Sequence, residues 1–221
     1  MSARRKGPIL IDGPESFAEA FNVPHETIHR LTRYADLLAH WQKSINLVAP
    51  STLPELWSRH FADSAQLVGL APEARLWLDL GSGAGFPGLV VAILQKDLPD
   101  FRMNLVESNT KKCAFLAEVV RATEAPVDIH AMRLEQLAEK AQSLIPDVVC
   151  ARALAPLPRL LELAEPFFGK GTRGLFLKGR ATEAEVEAAK AGWDFKSRRH
   201  RSLTADDAFI VEVTNVRRRA S

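Results

Sequence analysis

The chain lacks several features that would assign it to a class at once. Only two cysteines, Cys113 and Cys150, occur among 221 residues, and their apolar neighbours favour buried, reduced thiols over a disulfide framework. No apolar run approaches the roughly 18 residues of a membrane span, and the first residues lack the apolar core of a secretory signal. We therefore expect a cytoplasmic protein that does not enter a membrane.

The chain also has almost no net charge, since its formal net charge at pH 7 is only +2. The small excess lies at the C-terminus, where residues 191–221 carry seven basic and four acidic groups. The clusters Lys196–Arg201 and Arg217–Arg219 can hold phosphates, although solvated surface charge explains them equally well. The charge thus permits a nucleic-acid partner without establishing one.

Near Arg75 the spacing of apolar residues along the sequence changes. From Pro14 to about Leu70 the pattern is helical, with a break at Pro50 and a further helix expected over Leu53–Val68. Beyond Arg75, apolar runs alternate with helical patterns, which predicts a mainly parallel sheet with helices on both faces. The expected strands are 76–80, 101–106, 126–129, 148–150, 175–177 and 209–216, and the expected helices between them are 87–96, 109–122, 133–143, 156–168 and 181–190.

The end of the chain predicts an antiparallel hairpin, formed by Gly192–Arg201 and Asp207–Val216. The fold class expected is therefore α/β, a doubly wound, seven-stranded sheet that ends in this hairpin. We divide the chain into a disordered arm over 1–13, an N-terminal helical extension over 14–72 and the α/β domain over 73–221.

The most informative stretch is the turn after the first expected strand, Asp79-Leu80-Gly81-Ser82-Gly83-Ala84-Gly85-Phe86-Pro87-Gly88. In a unit of strand, glycine turn and helix, the backbone of the glycine turn can come close to a nucleotide. The N-terminus of the helix then lies beside that nucleotide. The GxGxxG match within it is weak alone, and a turn needed only for tight packing is the other interpretation. Asp79 with Gly81, Gly83 and Gly85 resembles the first motif of Rossmann-like S-adenosylmethionine (SAM) methyltransferases, in which the acidic residue serves the methionine ammonium group.

Further candidates stand where the expected strands end, since ligands of open α/β sheets bind beyond the carboxyl ends of the strands. We expect Glu107 to accept hydrogen bonds from the ribose hydroxyls and Leu134 with Glu135 to contact adenine. Arg152 would face the reactive end of the cofactor. Simpler roles remain open: helix capping for Glu107, a surface charge for Glu135 and a structural ion pair for Arg152.

Two patterns point to other chemistry. His25–His29 fits the HExxH motif of zinc proteases, but Arg30 and Arg33 follow it and no third ligand stands at the usual spacing, so we expect no metal. Cys150 lies near the position of the thiolate in cytosine carbon-five methyltransferases, but it ends an apolar run without a preceding proline, which favours an inert core thiol. Enzymes that methylate exocyclic amines of adenine or cytosine typically carry an Asp/Asn-Pro-Pro-aromatic motif after the fourth strand. This chain has Cys150–Ala153 there instead, which argues against that reaction.

The glycine motif and several later pieces together resemble the RsmG family, also called GidB, over roughly residues 35–215. These pieces are Asn46-Leu47-Val48, His60 with Asp63-Ser64, Leu105-Val106-Glu107-Ser108, Lys111-Lys112, Phe115-Leu116, Arg133 with Glu135, Arg152-Ala153 and Leu177-Lys178-Gly179. The resemblance implies a SAM-dependent enzyme that methylates ring nitrogen seven of a guanosine in 16S, small-subunit ribosomal RNA. It places cofactor contacts at Gly81, Phe86, Leu134, Glu135 and Arg152. Ala151 departs from the family, which usually has serine before the Arg-Ala pair.

The resemblance also motivates expectations about the substrate, which would be ribosomal RNA or an assembling small subunit. Asp63 and His60 are expected to hold or balance the target guanine, although hydrogen bonds within the N-terminal helices explain them equally well. Lys178 and Arg201 are expected to contact phosphates. The alternatives are a SAM methyltransferase acting on a small molecule or protein, a nicotinamide oxidoreductase, and a non-catalytic RNA-binding module. The sequence leaves the oligomeric state open.

Overall fold

The computed structural model describes residues 9–140, 144–180 and 182–219. Their seven strands form one sheet. The strands are β1 (Leu76–Leu80), β2 (Arg102–Val106), β3 (Val127–His130), β4 (Val148–Arg152), β5 (Arg173–Lys178), β6 (Trp193–Arg201) and β7 (Phe209–Arg218). Their order across the sheet is β3-β2-β1-β4-β5-β7-β6. The first five strands run parallel, and β7 is antiparallel to both β5 and β6, which confirms the mainly parallel sheet with its C-terminal hairpin.

Eight α-helices accompany the sheet in the described ranges. Three precede it, namely α1 (Pro14–Phe21), α2 (His25–Trp41) and α3 (Asp63–Leu70). Five more follow strands along the chain, namely α4 (Gly88–Leu94), α5 (Thr110–Thr123), α6 (Leu134–Lys140), α7 (Leu157–Ala164) and α8 (Thr182–Ala189). The expected helices at 133–143 and 181–190 extend beyond the described residues at 141–143 and at 181. Among the helices described, none has the length and apolar character needed to cross a membrane.

The single helix expected over Leu53–Val68 is wrong. The chain instead forms a 3-10 helix over Pro50–Glu55, a π-helical turn over Trp57–Ala62 and then α3. Pro50 and Pro54 have no backbone N–H to donate, so a regular α-helix would lose hydrogen bonds there. The wider π turn buries three consecutive residues, His60, Phe61 and Ala62, which a regular amphipathic helix would not do.

Alternation along the strands divides the apolar residues between the two faces of the sheet. In β1, Trp77 packs with the N-terminal helices, α4 and α5, whereas Leu78 and Leu80 pack with α7 and the other helices of the opposite face. The N-terminal helices thus share one hydrophobic cluster with the sheet. The boundary that we drew between 14–72 and 73–221 stays a prediction.

The structure describes residues 9–13 of the N-terminal arm, and the disorder expected over 1–13 stays a prediction. The side chain of Ile11 is only 2% exposed, and the N–H of Ile9 donates to the carbonyl of Leu203 at 2.8 Å. Ile11 is therefore packed in the core and the backbone of Ile9 is bonded to the β6–β7 loop, whereas the side chain of Leu10 is exposed. Residues 1–8 lie outside the described residues.

Candidate active site

The loop after β1 requires glycine for steric reasons. Gly81, Gly83 and Gly85 have positive φ angles of 67°, 57° and 91°, a region that L side chains rarely adopt. A Cβ at Gly81 would lie 2.6 Å from Leu154 Cδ1, and one at Gly85 would lie 2.8 Å from the hydroxyl of Tyr34. The backbone of this loop is therefore packed closely against side chains from both faces of the sheet.

Asp79, near the end of β1, is a fully buried carboxylic acid. Its Oδ2 accepts a hydrogen bond from Gly88 N–H at 3.1 Å, whereas Oδ1 has no partner among the described residues. Burial raises the pKa of Asp79 to about 7, although the Gly88 N–H opposes that shift. An orphaned carboxylate oxygen in such a place fits a cationic group of a ligand, as the resemblance implies.

A first pocket, of about 370 Å³, lies at the carboxyl ends of β1 to β4. The structure brings five of the predicted cofactor residues together in its wall, namely Gly81, Gly83, Glu107, Leu134 and Glu135. We call it the cofactor pocket. Asp79, Gly85 and Phe86 are not in its wall and are buried.

Glu107 is held at the rim of the cofactor pocket by two backbone donors. Its Oε2 accepts from Gly83 N–H at 2.9 Å and its Oε1 accepts from Asn109 N–H at 2.7 Å. Asn109 is the N-cap of α5, so Glu107 also takes part in the start of that helix. Each oxygen retains a lone pair for a ligand hydroxyl.

Glu135 has a weaker attachment than Glu107. Its Oε1 lies 3.6 Å from Nη2 of Arg159, and both side chains are more than half exposed. An ion pair with this exposure contributes little to stability. The carboxylate of Glu135 is therefore free to rearrange toward a ligand.

Phe86 connects the glycine loop to the N-terminal helices. Its ring stacks on that of Tyr34 with a centroid distance of 5.3 Å, and His60 lies 4.9 Å away. The hydroxyl of Tyr34 donates to the carbonyl of Ala84, inside the glycine loop. Sequence reasoning missed Tyr34, because its helical spacing only marks it as one more core residue of α2.

Arg152, the last residue of β4, places its guanidinium 5.9 Å above the ring of Phe86. Its Nη1 is buried without a partner in the described part of the chain. Burial lowers the pKa of Arg152, and the negative charge of Asp63 opposes that shift. The structural ion pair that we considered is not formed with any described residue within 4.0 Å.

A second pocket, of about 530 Å³, lies beyond β4 and β5. Arg152, Asp63 and Lys178 line it, and it shares Ala153 and Leu154 with the cofactor pocket. The two pockets therefore adjoin. We call this one the substrate pocket.

Asp63 and His60 occupy different environments. Oδ1 of Asp63 accepts from Ser202 Oγ at 3.1 Å, from Gln66 Nε2 at 3.3 Å and from the hydroxyl of Thr204, which anchors the β6–β7 loop. His60 contacts Thr52 Oγ1 at 2.8 Å, and burial lowers its pKa to about 3. His60 lines neither pocket. A direct contact of either residue with guanine stays a prediction.

The two expected phosphate contacts also differ. Nζ of Lys178 donates to Ala155 O at 2.5 Å and pairs with Glu185 at 2.8 Å, and its side chain is only 10% exposed. Arg201 is exposed at the end of β6. Both contacts stay predictions, and a phosphate would have to compete with Glu185 for Lys178.

The patterns that pointed to other chemistry have structural explanations. Glu26 of the HExxH match pairs with Arg30 at 3.2 Å. Within 9–140, 144–180 and 182–219, no group of three His, Cys, Asp or Glu side chains is arranged to hold a metal. Cys113 and Cys150 are free and buried, and burial raises the pKa of Cys150 well above its ordinary value. A buried neutral thiol is a poor nucleophile.

Comparison with known proteins agrees with this geometry. The model of the family GidB, rRNA small subunit methyltransferase G, matches residues 27–209. Ribosomal RNA small subunit methyltransferase G of Parvibaculum lavamentivorans is 51% identical over 208 residues, which cover 94% of this chain and 91% of that protein. The protein of the same name from Methylorubrum populi is 49% identical over 197 residues, covering 89% and 92%.

Solved structures share the fold at low sequence identity. A putative O-methyltransferase from Klebsiella pneumoniae has a TM-score of 0.60 at 14% identity, covering 91% of this chain and 96% of that one. The O-methyltransferase TomG from Streptomyces achromogenes, in complex with SAM, has a TM-score of 0.56 at 15% identity, covering 84% and 89%. These likenesses establish a Rossmann-like methyltransferase fold, and the extended match to the family model establishes the family. The chain belongs to the GidB family, rRNA small subunit methyltransferase G.

Proposed function

We propose that this protein transfers a methyl group from SAM to ring nitrogen seven of a guanosine in 16S ribosomal RNA. The match of the family model to residues 27–209 carries the proposal, because that stretch includes the glycine loop, Asp79 and the carboxyl ends of β1 to β5. Its partner would be small-subunit RNA, naked or in an assembling subunit. It would act in the cytoplasm, where subunits assemble.

The residues of the cofactor pocket, together with the buried Asp79, fit SAM in charge. The free Oδ1 of Asp79 would pair with the ammonium group, and Glu107 would accept from the ribose hydroxyls. Leu134 and Glu135 would contact the adenine ring and its amino group. The cofactor, when bound, supplies an electrophilic methyl group on a positively charged sulfur.

The remaining chemistry needs orientation more than proton transfer. Nitrogen seven of guanine has a free lone pair at neutral pH, so no general base is required. That fits His60, whose lowered pKa of about 3 keeps it neutral. Methylation leaves a positive charge on the base, and the carboxylates of Asp63 and Glu185 in the wall of the substrate pocket would stabilise that charge as it develops.

Arg152 poses an electrostatic problem, because a guanidinium disfavours a nearby positive sulfur. The negative charge of Asp63 acts on Arg152 and offsets part of its field. Arg152 also lies over the ring of Phe86, where it would help to keep water out of the site. Its roles are orientation and exclusion of water.

The proposal is tested by transfer of labelled methyl groups to unmodified small-subunit RNA, supplied naked and as assembled particles. Digestion to nucleosides should place the label in 7-methylguanosine, and the better substrate identifies the assembly stage. Asp79→Asn should transfer none under the same conditions. Label in another nucleoside, or SAM binding without any transfer, would contradict the proposal.

A further inference from the structure

The substrate pocket has the dimensions and the lining of a site for one nucleoside. Its volume of about 530 Å³ lies within the range of small-molecule sites. Leu177 and Phe209 give its wall apolar surface, and Lys178 and Glu185 give it charged groups. Because it adjoins the cofactor pocket through Ala153 and Leu154, a base inside it would lie beside a cofactor held in that pocket.

Glu185, on α8, presents a fixed carboxylate to this pocket. Its Oε2 accepts from Leu157 N–H at 2.8 Å and pairs with Nζ of Lys178 at 2.8 Å. Its Oε1 accepts no hydrogen bond from the described residues and is not among their buried unpartnered atoms. One oxygen is thus anchored from two sides, and the other offers two lone pairs to a ligand.

Guanine is the base that this arrangement suits. Its Watson–Crick edge carries two adjacent donors, N1–H and the N2 amino group, whereas no other RNA base has two adjacent donors on that edge. A carboxylate oxygen attracts adjacent donors and repels acceptors. With that edge on Glu185, nitrogen seven lies on the opposite side of the base, where a methyl donor must stand.

We propose that the substrate pocket takes the target guanosine after it leaves the RNA stack, and that Glu185 selects guanine through N1–H and N2–H. This inference rests on the proposed function and identifies the residue that reads its substrate. Lys178 is then a positioning residue that orients Glu185. Extrusion of the base exposes nitrogen seven, and an unpaired nucleotide is the least costly to extrude.

The test compares Glu185→Gln with Glu187→Gln, which removes the same charge from the same helix. Glu187 is exposed and pairs only with Lys190 among the described residues. Binding of guanosine, inosine and adenosine monophosphates is measured with S-adenosylhomocysteine present. The kcat/KM for unmodified small-subunit RNA and the Kd for SAM are measured in parallel.

The wild type should bind guanosine monophosphate more tightly than inosine monophosphate, which lacks the N2 amino group. Glu185→Gln should lose that preference, and its kcat/KM should fall by about 10- to 100-fold with an unchanged Kd for SAM. A kcat/KM equal to that of Glu187→Gln would overturn the proposal. So would a wild-type protein that does not prefer the guanosine nucleotide, a result independent of how any variant folds.

These outcomes separate the inference from the proposed function. A guanosine preference that depends on Glu185, without methyl transfer to RNA, would support the pocket and contradict the function. Formation of 7-methylguanosine at equal rates by Glu185→Gln and Glu187→Gln would support the function and overturn the pocket assignment.

Discussion

Replacing Asp79 with asparagine should stabilise the cofactor-free protein at alkaline pH and abolish SAM binding. Burial raises the pKa of Asp79 from 3.8 to about 7. The folded state therefore binds this proton more tightly than the unfolded state, so stability falls as the pH rises through about 7. The difference of roughly 3 pKa units, at about 1.4 kcal/mol each, makes the ionised carboxylate cost at most about 4 kcal/mol.

Asparagine removes this cost and keeps the size of the side chain. Its oxygen can accept from Gly88 N–H, while its amide NH₂ is left without an acceptor, which costs about 1–3 kcal/mol. At about pH 8 the variant should gain about 2 kcal/mol in free energy of unfolding. At about pH 5 the carboxyl is protonated in the folded wild type but mostly ionised in the unfolded chain. Taking up that proton on folding costs about 2 kcal/mol. This matches the cost of the unpaired amide in the variant, so the two proteins should be equally stable.

The assay is urea unfolding of both proteins at the two pH values, with and without SAM, together with calorimetric measurement of the Kd for SAM. SAM should stabilise only the wild type, because only that protein pairs the ammonium group. Asp128→Asn, which changes an exposed carboxylate in β3, is the matched control and should behave as the wild type. A stability difference that does not change with pH, or an Asp79→Asn variant with wild-type affinity, would refute the reasoning.

Four further variants test other parts of the site. Tyr34→Phe removes the hydrogen-bond donor to the carbonyl of Ala84. It should weaken SAM binding several-fold and cost about 1 kcal/mol in free energy of unfolding. An unchanged Kd for SAM in calorimetry would contradict this role. Gly85→Ala adds a Cβ 2.8 Å from the Tyr34 hydroxyl at a φ of 91°. It should lower the free energy of unfolding, measured in urea, by at least about 2 kcal/mol. Wild-type stability would count against the packing described. Cys150→Ser should keep methyl transfer, because burial raises the pKa of the thiol and leaves it inert; a folded but inactive variant would favour a thiolate mechanism. Arg201→Ala should reduce the salt dependence of RNA binding by a slope of about 1, and an unchanged slope would exclude a phosphate contact.

The sheet was largely predictable because local patterns encode it. The apolar run at residues 76–80, interrupted only by Asp79, coincides with β1, since both faces of that strand are buried. The glycine loop is recognisable because Gly81, Gly83 and Gly85 have positive φ angles and because close side chains at Gly81 and Gly85 leave no room for a Cβ. Asp79 and Glu107 followed from the position of strand ends, a property of the fold class rather than of any one contact.

Other features depend on contacts between distant segments and leave no local signal. The π turn at Trp57–Ala62 packs His60 and Phe61 against Phe86, which comes much later in the chain. The bond from Tyr34 to Ala84 spans 50 residues. Neither contact is encoded in a short motif.

The substrate pocket is a further example of such long-range assembly. Asp63 comes from α3, Glu185 from α8 and Ser202 from the β6–β7 loop. Glu185 stands among other glutamates of α8, and the sequence does not distinguish it from them. Its anchoring by Lys178 and Leu157 becomes visible only in the folded chain.

The most direct test of the central claim replaces the acceptor atom itself. Small-subunit RNA is transcribed once with guanosine and once with 7-deazaguanosine, in which carbon stands in place of nitrogen seven, and both are offered to the enzyme with labelled SAM. The account predicts label in 7-methylguanosine from the first RNA and none in the second. Equal labelling of the two RNAs would place the methyl group on another atom and contradict it.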